Sequence, residues 1–561
     1  MTSAAHSTPT TPQSPPVDLT HRQVVTILLG LMTGMFLAAL DQTIVATAIR
    51  TIADDLQGLQ HQAWATTAYL ITATIVTPIY GRLGDIHGRK RLFTTAITIF
   101  VIGSILCTFA TSMETLAVYR AVQGLGAGGL FSLALAIIGD IVPPRERAKY
   151  QGYFLAVFGT SSVLGPVIGG FFAGQDTLLG ITGWRWVFLV NVPIGIIALL
   201  VVRRTLHLRH LRLDHRIDWL GAAMLALALV PLLLVAEHGR AWGWSSARSL
   251  TCFAVGVIAA LAFLWQEWRM GKEAILPLAM FRTRTVGVAS VASVLIGIAM
   301  FGGLASIPLY LQIVKGATPT EAGLMLLPMT LGIMFGSVLS GQLIARTGRY
   351  RHFPIIGAAL LTVSLFAFHW VRYDTPLWQT MTIMVFFGIG LGFNFQPLTL
   401  AMQNAVPPHQ IGVATSTATF TRQIGGTIGT AVFLSILFGR LPETIGAALE
   451  RVMPTPEFQA ALQDPANAEF ARDLAASSAS GSTAAASSGI LEDSSFLTGL
   501  DERLAQPFLI GFSDAMDTVF LVGALVMVVG FLVMLLLPHV ELRKASAYSE
   551  RDAAEAESHK A

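Results

Sequence analysis

The sequence predicts an all-α polytopic membrane protein: two pseudo-symmetric six-helix bundles with two extra central helices between them, fourteen spans in all. Three observations carry this. The 561 residues are 53% hydrophobic and only 12% charged, against about 25% charged in a typical soluble domain. Apolar stretches long enough to span a bilayer recur along the chain. The chain also repeats itself at an offset of eight such stretches.

A spanning helix needs about 20 mostly apolar residues. Such stretches lie near 24–48, 63–81, 92–111, 115–138, 150–174, 184–202, 217–236, 249–267, 285–313, 322–345, 353–371, 378–402, 411–438 and 514–538. Lys and Arg in short loops set orientation. Alternate connections place twenty-two of them, including Arg82, Arg89, Lys90, Arg91, Arg145 and Arg351, on one side and six on the other. Both termini are therefore expected on the cytoplasmic side of a cell (inner) membrane, which requires an even number of spans. The expected organisation is a disordered tail over 1–22, a first bundle over 23–204, the extra helices and their linkers over 205–284, a second bundle over 285–540, and a tail over 541–561. The second bundle carries a long extracytoplasmic loop, 441–513, whose centre, Ala475 to Gly489, is almost only Ala, Ser, Gly and Thr. Such a stretch lacks the apolar residues for a core and is expected to be flexible. The loop is read as a linker, with a functional cap as the alternative.

The repeat is visible residue by residue. At an offset of 260, Gly81, Leu83, Gly88, Arg89 and Arg91 recur as Gly341, Leu343, Gly348, Arg349 and Arg351, and Gly165 and Gly169 recur as Gly425 and Gly429. At an offset of 264, Gly124, Gly126 and Gly128 recur as Gly388, Gly390 and Gly392, and Val142-Pro143-Pro144 as Val406-Pro407-Pro408. Parallel halves of this kind are a known transporter plan, with solutes bound between the halves near the midplane. The halves differ in charge. Asp41 maps to Phe301, Asp85 to Ala345 and Lys90 to Tyr350, while Arg120 maps to the uncharged Thr380 or Met384.

Several motifs resemble those of the major facilitator superfamily, in its fourteen-span drug:proton antiporter branch. Gly81–Arg91 resembles the superfamily's signature between helices 2 and 3. Leu116–Gly129, with Arg120, Gln123, Gly124 and Gly128, resembles the helix 4 motif linked to proton transfer. Gly159 with Gly165-Pro166-Val167-Ile168-Gly169-Gly170 resembles the helix 5 antiporter motif. Leu40–Val45, Trp184–Pro193 and Arg422–Gly426 resemble motifs of the fourteen-span branch. Ala46-Thr47-Ala48-Ile49 departs from the usual helix 1 motif, and the long outer loop is not general in the family. The resemblance implies a multidrug efflux transporter that exchanges protons for its cargo.

The residues carry part of this reading on their own. A charge within a spanning helix costs roughly 2.5–3.5 kcal/mol on insertion scales, and few residues here carry that cost. Asp41 lies roughly 12 Å, and Arg120 roughly 9 Å, from the outer ends of their helices at 1.5 Å per residue. Similar depth in the first half lets them interact, either as a proton-loading site or as a static buried pair. Arg120, Gln123, Gly124 and Gly128 share one helix face by their spacing. Gly165, Pro166, Gly169 and Gly170 form a packing and kinking element. Asp85 and Arg89 stand in an i, i+4 relation, and Asp85 lies within reach of Asp140 and Arg145. Together with Gly81, Gly88, Lys90 and Arg91 they are read as a gating latch. Arg422, near the midplane of its span, is expected at the cargo cavity or paired to a static partner. Gln123, Trp64, Tyr69 and Phe395 are further cavity candidates.

No Gly-x-x-x-x-Gly-Lys-Ser/Thr loop occurs, so the energy source is expected to be an ion gradient. Cys107 and Cys252 both fall in apolar runs and are expected to form neither a disulfide nor a metal site. No cofactor, metal or nucleic-acid partner is expected. The partners are protons, the lipid bilayer and a small amphipathic or cationic compound, the protein acting as a monomer. A lipid or glycolipid exporter on the same scaffold is the nearest alternative. An enzyme or receptor has less support, because neither a catalytic constellation nor a sizeable soluble domain is present.

Overall fold

The computed structural model describes residues 21–56, 62–143, 157–161, 164–165, 167–206, 218–317, 319–407, 410–467, 470–472 and 500–542. Residues 1–20 and 543–561 of the expected tails, the Ala/Ser-rich loop centre, Arg145 and Pro166 lie outside these residues, whereas His21 and Arg22, expected in the first tail, begin α1. In chain order the helices are α1 His21–Asp55, α2 Gln62–His87, α3 Arg89–Cys107 and α4 Met113–Ile141. Next come α5, the described helical residues within 157–173, and α6 Gly183–Thr205. The extra pair is α7 Trp219–Trp242 and α8 Ala247–Met270. The second bundle consists of α9 Arg284–Leu309, α10 Leu327–Thr347, α11 His352–His369, α12 Leu377–Asn404, α13 Ile411–Val452 and α14 Glu502–Leu535. The described residues pair as strand only at Thr177–Leu178 with Ile181–Thr182, a small hairpin before α6.

Local chemistry sets several helix ends. Ser112 caps α4 through a reciprocal box with Thr115, and Ser246 caps α8 by accepting from the Ser249 N–H. Asp218 accepts from the Gly221 N–H at 2.8 Å to start α7. Gly88, between α2 and α3, has φ 92° and its repeat partner Gly348, after α10, has φ 70°. Both positions lie in the left-handed region that only glycine enters without strain.

Among the described residues, eleven helices are long and apolar enough to cross a membrane, and Trp219–Val235 in α7 is a shorter apolar one. α2 is outside the eleven because Thr66, Thr67, Thr72, Thr74 and Thr77 dilute its apolar content. Two of those hydroxyls are taken up by other helices: Thr72 donates to the Ala121 carbonyl at 2.9 Å, and Thr77 to Gln423 at 3.2 Å.

The two halves pack alike. α4 lies against α2 and α3, and α12 against α10 and α11. The repeated glycines make equivalent contacts. A Cβ at Gly124 would collide with the Tyr69 carbonyl, and one at Gly388 with the Met329 carbonyl. Gly128 meets the Ala73 carbonyl as Gly392 meets that of Ile333, and Gly169 meets the Ile44 carbonyl as Gly429 meets that of Ile298. Small residues let helices approach this closely where lipid supplies no hydrophobic drive between them. Gly170 differs from the expected packing element, since nothing lies within 4 Å of its Cβ position.

The extra pair covers a seam between the halves. α7 touches α2 of the first half and α13 of the second, and Ile71, Ile75, Leu225, Leu229, Leu233 and Phe420 form a shared core. α8 faces outward, with Ile258, Leu261, Trp265 and Trp268 all more than half exposed.

The outer loop is shorter than the sequence reading placed it. α13 runs 42 residues, about 63 Å at 1.5 Å per residue, twice the roughly 30 Å of a hydrocarbon core. Its last turns pack with a short helix, Pro456–Leu462, against the start of α14. Ile445, Leu449, Phe458, Leu504 and Phe508 extend the second half's core into this projection. Asp514 and Asp517 lie well inside α14, where both pair with Arg372 at 2.9 and 2.6 Å.

If the repeated glycines do the same work, Gly128→Val and Gly392→Val will each collapse the monodisperse peak of detergent-extracted protein in gel filtration to a similar degree. A lesion confined to one half would contradict equivalent packing.

Candidate functional site

Asp41 lies in the middle of α1 and is fully buried. Its carboxylate is held by donors from two other helices. Arg120 Nη1 (α4) lies 2.5 Å from Oδ2, and on Oδ1 Gln123 Nε2 (α4) donates at 2.8 Å and Asn191 Nδ2 (α6) at 2.7 Å. Arg120 Nη1 also donates to Gln123 Oε1 at 2.6 Å, and Nε to the Ala65 carbonyl of α2 at 3.2 Å. Gln123 Nε2 donates to Ser104 Oγ of α3 at 2.7 Å. The guanidinium rests 4.2 Å from the Tyr69 ring centroid. Asp41, Ser104, Arg120, Gln123 and Asn191 are each at most 1% exposed. Five helices of the first half thus meet at one charge-neutral cluster.

Two of the expected cavity residues, Gln123 and Tyr69, are buried beside Asp41. Gln123 faces α1 and α3 because Arg120, one turn before it, points into the same seam. Ser104 and Asn191 were not singled out from sequence. Asn191 had a signal, as a lone amide in the apolar run Trp184–Pro193; Ser104, a common small residue in an apolar helix, had none.

The loop residues make a second cluster at the end of the bundle where α2 meets α3. Arg89 bridges two acids: its Nη2 lies 2.9 Å from Asp85 and its Nε 2.6 Å from Asp140 of α4. All three are buried. The Asp85 carboxylate occupies the space a Cβ at Gly412 would need, in the first turn of α13. A helix N-terminus favours an anion, so Asp85 joins the first half to the second. Gly81 lies against Ser416 of the same helix, and Gly139 of α4 against Ile411 and Gln403. Lys90 donates to the Arg203 carbonyl at 2.9 Å, capping α6, while Arg91 is exposed.

Arg422 lies about 16 Å into α13 at 1.5 Å per residue. It is half-buried, and its guanidinium sits 4.7 Å from the Phe395 centroid of α12. Trp64, in α2, is half-buried. Among the described residues no group of three or more His, Cys, Asp or Glu is placed to hold a metal, and Cys107 and Cys252 are free thiols.

Residues 31–430 match the Major Facilitator Superfamily. The chain belongs to this transporter family. It is 35% identical over 519 residues to an uncharacterized MFS-type transporter of Mycobacterium tuberculosis (strain ATCC 25618 / H37Rv), covering 92% of this chain and 70% of that one. It is 36% identical to multidrug resistance protein 3 of Bacillus subtilis (strain 168), over 72% of this chain and 78% of that one. A tetracycline resistance determinant of Streptomyces rimosus is 39% identical over 60% of this chain and 95% of its own length. Among solved structures, the proton:xylose symporter XylE bound to 6-bromo-6-deoxy-D-glucose superposes with a TM-score of 0.58, at 14% identity, over 94% of this chain and 99% of that one. A bacterial homologue of the lysosomal transporter Spinster, inward-facing and unoccupied, superposes with a TM-score of 0.55 at 15% identity, over 92% and 98%. These structures show the fold.

Two outcomes test the clusters. Arg120→Met leaves the Asp41 carboxylate buried without its counter-charge, so stability should fall by about 3–5 kcal/mol, the usual result of breaking a buried pair, as read by thermal unfolding in detergent. Gly412→Ala should push Asp85 off α13 and lengthen the distance between spin labels on Pro143→Cys and Pro407→Cys. An unchanged distance distribution would remove Asp85 as a tie between the halves.

Proposed function

We propose that this protein is a proton-coupled exporter that swaps an inward proton for an outgoing amphipathic compound by alternating access. It would do so with fourteen spans and both termini in the cytoplasm of a cell whose inner membrane it occupies. The observation that carries this reading is the burial of Asp41 among donors from neighbouring helices. A carboxylate in such a place is subject to opposed forces: burial favours the protonated acid, and an adjacent cation and N–H donors favour the anion. Taking up a proton neutralises Asp41, weakens its hold on Arg120, Gln123 and Asn191, and so loosens α1 from α4 and α6 together. Losing it draws them back. A single proton is thereby converted into a rearrangement of the whole first half.

The second cluster supplies the gate. With Asp85 seated on α13, and α4 against α12 and α13, the halves are held together at the end that the basic loops assign to the cytoplasm. This arrangement supports reading the present state as closed on that side. Release of Asp85 would open it.

The names of several relatives, a multidrug resistance protein, a tetracycline resistance determinant and efflux pumps, support export as the direction and drugs as the cargo class. The decisive variant is Asp41→Asn. The amide oxygen still accepts from Arg120 but the counter-charge is lost, so stability should fall as in Arg120→Met; in the fraction that still runs as the monodisperse peak in gel filtration, a pH gradient imposed on proteoliposomes should no longer drive dye export. Gradient-driven export that survives in Asp41→Asn would sink the assignment.

A further inference from the structure

The formal charges at mid-depth are distributed in a way that bears on cargo. This inference rests on the exporter reading and narrows its substrate class. Asp41 is 0% exposed and its two oxygens already accept from Arg120, Gln123 and Asn191. Buried in this way, it offers no access to a cationic cargo. Asp85 and Asp140 are committed to Arg89 at one end of the bundle, and Asp517 to Arg372 towards the other. The carboxylates of Asp218 and Glu267 lie with the extra helices, capping α7 and accepting from the Leu276 N–H.

Arg422 is the opposite case. It stands about 16 Å into α13 at 1.5 Å per residue, half-buried, and so retains accessible surface. No carboxylate, carbonyl or amide takes up its guanidinium among the described residues; its contact is the face of Phe395 at 4.7 Å. Its own carbonyl packs on Gly297 of α9, and the next residue, Gln423, bonds to Thr77 of α2 across the two halves. The helix is thereby fixed at the seam where the halves meet, with the arginine beside it. An arginine at this depth is expensive unless it faces a cavity or a partner, and a planar guanidinium pairs with carboxylate, sulfonate or phosphate oxygens through two parallel N–H donors.

We propose that Arg422 and Phe395 form an anion-recognition site for the cargo, and that the preferred substrates are amphipathic organic anions carrying an aromatic or other flat apolar body. The Phe395 ring holds the guanidinium in place on one face and offers an apolar wall to the body of the ligand. A bound anion supplies the counter-charge that Arg422 lacks. A corollary follows for energetics. At one proton per cargo, a monoanion leaving while a proton enters moves the equivalent of two positive charges inward, so an inside-negative potential accelerates export. Exchange of a monocation at that stoichiometry moves no net charge.

Binding is measured first, without any gradient, on purified full-length protein. The probes are 1-anilinonaphthalene-8-sulfonate, the uncharged N-phenyl-1-naphthylamine of the same ring system, and the cation ethidium. Arg422→Gln should lower the affinity for the sulfonate relative to the uncharged amine by about tenfold or more, as loss of one charged hydrogen-bonded contact does, and Arg422→Lys should recover part of it. A ratio that is the same in parent and Arg422→Gln overturns the proposal, as does a parent site from which ethidium displaces the sulfonate in preference to the amine. Transport under an imposed pH gradient then separates the two readings. Sulfonate binding through Arg422 with no response of any dye to the gradient would refute proton coupling and leave the recognition site standing. Gradient-driven movement of ethidium alone would do the reverse.

Discussion

A carboxylate without access to solvent, balanced by one arginine, sets the terms for the first half of this bundle. Removing both charges from water is costly, and the attraction between them repays it only when the remaining donors and acceptors are satisfied. Here Gln123, Asn191 and the Ala65 carbonyl take up the pair, and Ser104 takes up Gln123, while Asn191 Oδ1 is left without a hydrogen bond among the described residues. Because these groups come from five helices, the positions of those helices relative to one another depend on the charge of a single side chain. That dependence is what makes the cluster suited to coupling and poorly suited to being a mere brace. A brace for stability alone would be as well served by apolar side chains of similar volume.

The two halves share a packing scheme and divide the chemistry. Glycines at Gly124, Gly128 and Gly169 in one half and at Gly388, Gly392 and Gly429 in the other bring helix backbones together in equivalent ways. Where the first half has Asp41 and Arg120, the second has Phe301 and the fully buried Thr380 or Met384. In the proposed mechanism the second half is therefore the counterpart on which the first half moves. The tie between them is Asp85 on the first turn of α13, and the same helix carries Arg422 further along. One helix thus touches both the gate and the proposed cargo site.

Much of this was legible in the sequence because charge in an apolar helix has few tolerable explanations. Asp41 and Arg120 stood out by cost alone, and their similar depth placed them together. Asp85 stood out because an acid does little for orientation. The repeat offsets pair the glycines whose close helix contacts are equivalent in the two halves. Other features were hidden for physical reasons. Which face of α4 Gln123 presents is settled by α1 and α3, so spacing alone does not reveal its bond to Asp41. Ser104 is a common small residue with no signal, and Asn191 has only that of a lone amide in an apolar run. The reach of α13 beyond the membrane was missed because apolarity ends near 438 while helix propensity and packing against α14 do not.

The central claim is that Asp41 changes protonation state within its buried cluster. Infrared difference spectroscopy on the protein in lipid, taken between alkaline and acidic pH, tests it most directly. The account predicts a carboxylic acid C=O stretch that appears on acidification, is absent in Asp41→Asn, and shifts when a bound cargo changes the cluster. If the whole spectrum of protonated carboxyls is unaltered by Asp41→Asn across the pH range in which the protein stays folded, Asp41 is a fixed anion paired to Arg120, and the proton site lies elsewhere.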